Sequence, residues 1–130
     1  MTHRTIYVVD DDPLVRRVIR LALEREGYAV EVCEDGQAGL ERVREAAPDA
    51  LVSDIEMPRM TGEEMCKQIH AEMPDRAFPI FVSTSLTDLE HRAWSSEMPL
   101  MSFIEKPMST RRLIKALADH FASNPAGDGD

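Results

Sequence analysis

The chain has 130 residues, of which 43% are hydrophobic and 30% charged, as is typical of one globular domain. Aspartate and glutamate number 24 against 15 lysines and arginines, and the resulting net charge of −9 disfavours direct binding to nucleic acid or an anionic membrane surface. No apolar run approaches the roughly 20 residues that cross a bilayer. Cys33 and Cys66 lack metal-ligand spacing, and we expect them to be reduced thiols of a cytoplasmic protein.

Five short apolar runs are spaced along the chain. Each is too short for a helix and rich in strand-forming residues, which predicts strands. The first is expected to be buried on both faces, and the second alternates. The runs span residues 6–9, 29–33, 50–53, 79–83 and 101–104.

A helical pattern follows the first strand. It begins at Asp12 and Pro13, where an acidic cap is followed by proline in the first turn, and it ends at Gly27. Its apolar positions predict the side that faces the sheet: Leu14, Val15, Val18, Ile19 and Ala22. Four arginines form a basic strip, which is either a solvated face or a docking surface for an acidic helical partner: Arg16, Arg17, Arg20 and Arg25.

Four further helices are predicted, one after each remaining strand. Asp35 and Gly36 are predicted to form a turn before the second helix, and Ser109 to cap the last one. The predicted apolar positions are Leu40, Val43 and Ala47, then Met65, Ile69 and Met73, then Leu89, Ala93 and Trp94 within residues 87–97, and finally Leu113, Ile114, Leu117 and Phe121.

Strands that alternate with helices predict an α/β fold with a parallel, doubly wound sheet and helices on both faces. We expect one domain over residues 1–122 and a disordered, acidic, glycine-rich tail over residues 123–130. In such a sheet ligands bind at the carboxyl edge of the strands.

Polar side chains stand at that edge after four of the five strands. The second strand contributes nothing distinctive. The residues are Asp10, Asp11 and Asp12 after the first strand, Asp54 at the end of the third, Ser83, Thr84 and Ser85 after the fourth, and Glu105, Lys106 and Pro107 after the fifth.

Carboxylates gathered at one edge repel one another, and a divalent cation relieves that repulsion. Oxygen ligands with room for water and a phosphate oxygen favour Mg²⁺. Lys106 adds a second positive charge and Thr84 a hydroxyl donor. The set predicts phosphoryl transfer to a carboxylate, because that reaction needs an acceptor oxygen, a metal and a cation on the equatorial oxygens. Taken singly, each of these residues is also compatible with a cap or a solvated surface.

Four sequence blocks at these strand ends resemble the receiver domain of two-component response regulators. The blocks are Val-Val-Asp-Asp-Asp-Pro at 8–13, Ser-Asp-Ile-Glu-Met-Pro at 53–58 with Met-Thr-Gly at 60–62, Pro-Ile-Phe-Val-Ser-Thr at 79–84, and Phe-Ile-Glu-Lys-Pro at 103–107. They occur in the family's order, with 30 residues from Asp54 to Thr84 and 22 from Thr84 to Lys106. The resemblance covers residues 6 to about 121.

The resemblance implies a flavodoxin-like (βα)5 fold with sheet order 2-1-3-4-5. It also implies a role for each matching residue. Asp54 is the phosphoacceptor, Asp11 binds Mg²⁺ directly, and Asp10 does so chiefly through water. The backbone carbonyl of Glu56 completes the protein ligands, and Lys106 contacts the phosphoryl group. Thr84 and Phe103 match the pair of switch residues that reorient on phosphorylation.

By this resemblance we expect a stand-alone receiver, with any output domain on another chain or removed. Its phosphodonor would be a histidine kinase or a histidine phosphotransfer protein. A downstream protein, or a second copy in a homodimer, would bind the face formed by the fourth helix, fifth strand and fifth helix. It would be a signalling phosphoacceptor that assists its own phosphorylation and dephosphorylation, not an enzyme.

Three alternatives have different sequence requirements. A flavin or nucleotide binder of similar topology needs a phosphate cradle after the first strand, where three aspartates stand here. An aspartate-nucleophile phosphohydrolase carries its nucleophile after the first strand, unlike Asp54. A receiver-like interaction module that acts without phosphorylation remains, although the complete set of acids, hydroxyl and lysine argues against it.

Overall fold

The computed structural model describes residues 3–84, 94–96, 98–106 and 109–123. Its helices and strands, in chain order, are β1 Thr5–Val9, α1 Pro13–Arg25, β2 Ala29–Cys33, α2 Gly36–Glu45, β3 Ala50–Asp54, α3 Gly62–Glu72, β4 Ile80–Thr84, β5 Met101–Glu105 and α4 Thr110–Ser123. The five predicted strands are confirmed, each to within one residue at either end.

The strands form one parallel sheet in the order β2-β1-β3-β4-β5, so the predicted fold class is confirmed. β1 and β3 are neighbours although α1, β2 and α2 lie between them in the sequence, and Val9 is in register with Ser53. The residues that follow these two strands therefore emerge side by side at the carboxyl edge.

Side chains of each strand alternate between two hydrophobic cores, because successive residues of a strand point to opposite faces. One core places Tyr7 and Val9 of β1 against α2 and α3. The other places Ile6 and Val8 against α1 and α4. Helices thus cover both faces of the sheet, as a parallel sheet with apolar strands requires.

The start of α1 confirms the predicted cap, since the Asp12 carboxylate accepts the Leu14 N–H at 2.9 Å. The predicted apolar side of this helix is wrong in part. Leu14 and Val18 are 67% and 50% exposed, whereas Leu23 is fully buried. The row Leu14–Val18–Leu21 lies beside the row that packs on the sheet, because consecutive helical positions are rotated by about 100°.

The second helix also starts differently from the prediction. Asp35 is not part of a free turn but the N-cap of α2, and its Oδ1 accepts the Ala38 N–H at 2.8 Å. Ala47 lies beyond the end of α2 and is exposed. The Ser109 hydroxyl accepts the Arg112 N–H at 3.2 Å, which confirms the predicted cap of α4.

Two sequence predictions fall mainly on residues outside the described part of the chain. Of the helix predicted over 87–97, only residues 94–96 are described, and Trp94 and Ser95 form a 3₁₀ turn. Residues 124–130 of the predicted tail are likewise outside it, while Ser123 is the last residue of α4. Within the described ranges, no helix has the length and apolar character needed to cross a bilayer.

Candidate functional site

Three carboxylates converge at the carboxyl edge of the sheet. Asp10 and Asp11 directly follow β1, and Asp54 is the last residue of the adjacent strand β3. One carboxylate oxygen from each of the three residues lies within 4.8 Å of the others. The predicted juxtaposition of these acids is therefore present, and it is a direct consequence of the pairing of β1 with β3.

Asp10 is the most enclosed member of this cluster, with 8% of its surface exposed. Burial raises its pKa, the hydrogen bond from the Asp12 N–H at 2.9 Å opposes that change, and the charges of Asp54 and Asp11 raise the pKa further. The net direction is upward. The folded chain thus holds a carboxylate where its negative charge is disfavoured.

Lys106 provides a positive charge within the cluster. Its ammonium nitrogen lies 2.8 Å from Oδ1 of Asp54, and the same oxygen accepts the Ile55 N–H at 2.7 Å. The backbone N–H of Lys106 donates to the Thr84 carbonyl at 2.7 Å, which ties the loop after β5 to the end of β4. The contacts from the Lys106 ammonium and the Ile55 N–H are thus both to Oδ1 of Asp54.

Thr84 ends β4 and is fully buried, one strand away from Asp54. Phe103 lies on the neighbouring strand β5 and is half-buried. Its ring meets the ring of Trp94 edge to face, with centroids 6.0 Å apart. Thr84 and Phe103 therefore lie on adjacent strands, and Trp94 contacts the second of them.

The other polar residues predicted at this edge are not all in the cluster. Asp12 caps α1, and Glu105 is exposed at the end of β5. The Glu56 side chain is exposed in the loop between β3 and α3. Ser85 and Pro107 lie outside the described residues.

The loop between β3 and α3, residues 55–61, is tied to the β2–α2 junction, a contact that the sequence did not predict. Arg59 pairs with the Asp35 carboxylate through Nη2 and through Nε at 2.7 Å. The Gly36 N–H donates to the Met60 carbonyl at 3.1 Å. The end of the second strand, expected to contribute nothing distinctive, therefore contacts the loop that follows Asp54.

A second unpredicted contact supports the β1 side of the site. Arg16 of α1 donates from Nη1 to the backbone carbonyl of Asp10 at 2.7 Å. The basic strip is therefore divided: Arg16 contacts the site, Arg20 pairs with Glu24 at 3.1 Å, and Arg17 and Arg25 are exposed. The sequence signal for this contact is a basic residue one helical turn after the acidic residues that follow β1.

A parallel sheet with this strand order, three acids at its centre and a lysine against one of them defines a signalling receiver domain. The family model described as the response regulator receiver domain matches residues 6–118. The chain belongs to this family, which acts in signal transduction by two-component systems.

Curated relatives are response regulators of similar sequence. The chain is 32% identical over 124 residues to the response regulator MprA of Mycolicibacterium vanbaalenii, covering 95% of this chain and 53% of that protein. It is 37% identical over 109 residues to MprA of Mycobacterium ulcerans, covering 84% and 46% respectively. The chain thus spans about half the length of these relatives.

Solved structures show the same fold. The chemotaxis response regulator CheY4 of Vibrio cholerae matches with a TM-score of 0.81 at 29% identity, over 91% of this chain and 98% of that one. A receiver domain protein from Clostridium thermocellum matches with a TM-score of 0.83 at 21% identity, over 95% and 98%, and supports the fold alone.

The raised pKa of Asp10 predicts a stability change that depends on pH. Without metal, Asp10→Asn keeps the acceptor for the Asp12 N–H but removes a disfavoured charge, so the variant should be more stable than wild type at pH 7 by on the order of 1 kcal/mol. A carboxyl whose folded pKa is raised contributes stability at low pH and loses it as pH rises. The advantage of the variant should therefore shrink as pH falls toward about 4.

Urea unfolding in EDTA at several pH values measures this difference. Glu26→Gln is the control, because it removes an exposed carboxylate at the far end of α1. An Asp10→Asn variant less stable than wild type at pH 7 would show that its carboxylate is structurally required.

Proposed function

We propose that the chain accepts a phosphoryl group on Asp54 from a partner phosphohistidine, in a Mg²⁺-dependent reaction that alters its partner-binding surface. The observation that carries this proposal is the contact of Lys106 with one oxygen of Asp54 at the point where Asp10 and Asp11 converge. Family membership and the four matching sequence blocks support it.

We assign separate tasks to the two oxygens of Asp54. Oδ1 is held by Lys106 and by the Ile55 N–H, so the carboxylate is fixed in orientation. Oδ2 is the proposed nucleophile, which forms a bond to phosphorus as the bond between phosphorus and the donor nitrogen breaks. Lys106 lies close enough to neutralise charge on the transferred group.

The donor set fits a hard divalent cation. Three carboxylates face one ammonium group, so a divalent ion balances charge that the folded chain leaves uncompensated. We propose Asp10, Asp11, Asp54 and the Glu56 carbonyl as the residues that hold Mg²⁺. When bound, Mg²⁺ supplies positive charge to the phosphoryl oxygens.

The first test is phosphorylation by acetyl phosphate, followed by intact mass. The wild type with Mg²⁺ should gain one phosphoryl group, and the same protein in EDTA should not. Asp54→Asn should gain none, and Lys106→Ala should react at least about tenfold more slowly, because it lacks the cation next to the acceptor.

Unfolding curves of both variants provide the control. A variant that is folded but fails to react lacks a reacting group and not the fold. A wild-type chain that binds Mg²⁺ without acquiring a phosphoryl group would contradict the proposal. It would favour the interaction module that acts without phosphorylation.

We further propose that the phosphodonor, a histidine kinase or a histidine phosphotransfer protein, docks on α1. The exposed row Leu14–Val18–Leu21 begins three residues after Asp11, which lies beside the acceptor. The neighbouring Arg17 is exposed and adds positive charge that suits an acidic helical surface. A donor seated there would lie next to Asp54.

Rates measured with acetyl phosphate and with a protein phosphodonor separate the effect of this docking surface from that of the reacting groups. With a histidine kinase that phosphorylates the wild type, Leu14→Gln combined with Val18→Gln should slow transfer at least about tenfold, because apolar contacts at an interface centre are lost. The rate with acetyl phosphate should not change.

Leu100→Gln is the matched control, because Leu100 is 43% exposed and precedes β5 at the opposite end of that strand from Lys106. Equal slowing by the control and the α1 variant would remove the case for docking on α1.

The proposed output begins with Thr84. Its hydroxyl would turn to a phosphoryl oxygen, and Phe103 would then rotate into the vacated space, which changes the exposed surface of β5 and α4. We propose this surface for a downstream protein or a second copy of the chain.

A cytoplasmic location fits this role and the two free cysteines, whose burial raises their pKa and keeps them unreactive.

The Trp94 ring reports on this change because it packs against Phe103. Beryllofluoride with Mg²⁺ should alter Trp94 fluorescence in the wild type. Thr84→Ala should reduce the response by at least half while leaving phosphorylation by acetyl phosphate intact, and Thr84→Ser, which keeps the hydroxyl, should respond. Equal responses of Thr84→Ala and wild type would exclude this route.

A further inference from the structure

The loop of residues 55–61 is held by contacts of Arg59 that have no role in the proposed phosphoryl transfer. Arg59 has a φ of 65°, a left-handed conformation that is unfavourable for any residue with a Cβ. Within the described residues, Leu100 is the only other non-glycine residue with positive φ. A conformation of this kind persists only where surrounding contacts hold it.

The contact that holds Arg59 is unusual for a surface arginine. The Arg59 side chain is 63% exposed, but its guanidinium reaches Asp35, whose side chain is 3% exposed. Burial alone would raise the pKa of the Asp35 carboxyl, but the hydrogen bonds from the Ala38 N–H and from Arg59 outweigh it, so the net direction is downward. Arg59 also lies 3.4 Å from Glu34, but both of those side chains are mainly exposed.

Glycines close the same loop at two other points. A Cβ on Gly36 would overlap the Met60 carbonyl oxygen, so only glycine allows the β2–α2 junction to approach the loop this closely. At the base of the loop, the Gly62 N–H donates to the Ile55 carbonyl at 2.7 Å, and a Cβ on Gly62 would overlap the Asp54 carbonyl oxygen. The loop is therefore fixed both where it leaves Asp54 and at its tip.

We infer that the Asp35–Arg59 ion pair is a positioning device for the metal site, holding the loop so that the Glu56 carbonyl is presented next to Asp54. This inference rests on the proposed function, because it assigns a task in the binding of Mg²⁺. Asp35 and Arg59 are not among the proposed ligands, and their effect would be carried by the backbone between Asp54 and Met60. Groups that orient ligands in this way typically contribute tenfold or more to metal affinity.

Two variants remove the pair without removing the cap of α2 or straining the backbone at residue 59. Asp35→Asn keeps a side-chain oxygen that can cap α2 and loses the charge. Arg59→Gly loses the guanidinium but suits the positive φ. Each should weaken Mg²⁺ binding about tenfold in titration calorimetry of the metal alone. The urea midpoint of Arg59→Gly in EDTA should stay near that of wild type, because relief at φ 65° offsets the lost pair.

Glu34→Gln is the matched control, since it removes the same unit of charge from the adjacent residue, which is 69% exposed and also near Arg59. It should bind Mg²⁺ like wild type, and Arg59→Lys should keep most of the affinity. The double variant Asp35→Asn/Arg59→Gly should bind no more weakly than either single variant, because both remove one interaction.

Several outcomes would overturn the inference. They are unchanged Mg²⁺ affinity in both single variants, an equal loss in Glu34→Gln, or additive losses in the double variant. A wild-type chain that binds no Mg²⁺ would overturn it together with the proposed function. If the wild type binds Mg²⁺ and the variants bind it equally well, the inference alone is overturned.

Discussion

Carboxylates that a protein fold holds close together repel one another, and that repulsion must be offset by other interactions. Asp10, Asp11 and Asp54 place carboxylate oxygens within 4.8 Å of one another, and burial leaves Asp10 with a raised pKa. Among the described residues, the ammonium group of Lys106 is the one that pairs with this cluster. The residual negative charge makes the empty site unfavourable for folding and favourable for a cation, so stability and ligand binding are linked through the same residues.

The arrangement depends on the sheet more than on any loop. β1 and β3 are central neighbours, and apolar side chains cover both of their faces, so the residues that follow them have little freedom of position. The loop after β3 is restrained separately, by close approach at Gly36 and Gly62 and by the pairing of Arg59 with Asp35. Rigid strands thus place the carboxylate side chains, and the loop that follows Asp54 is fixed by its own contacts.

The acids and the lysine could be predicted because each follows a recognisable strand, and strands of a parallel sheet end at one edge. The pairing of Asp35 with Arg59 could not, because it joins two loops whose approach depends on glycines that accept close backbone contact. The periodicity of α1 gave a helix with an apolar side, yet it did not show that Leu23 faces the sheet while Leu14 faces solvent. Periodicity identifies neighbouring rows of side chains, and tertiary packing decides which row is buried.

The strand order also determines which part of the site can open first. Asp10 and Asp54 follow interior strands that are hydrogen-bonded on both sides, whereas Lys106 follows β5, which lies at an edge of the described sheet. Local unfolding begins where fewest backbone hydrogen bonds and buried contacts must be broken, and such subglobal opening costs less than global unfolding. Detachment of the β5 edge would remove the ammonium group and leave the three carboxylates in place. The transiently opened form would therefore carry the strongest negative potential at this edge and attract a cation most strongly.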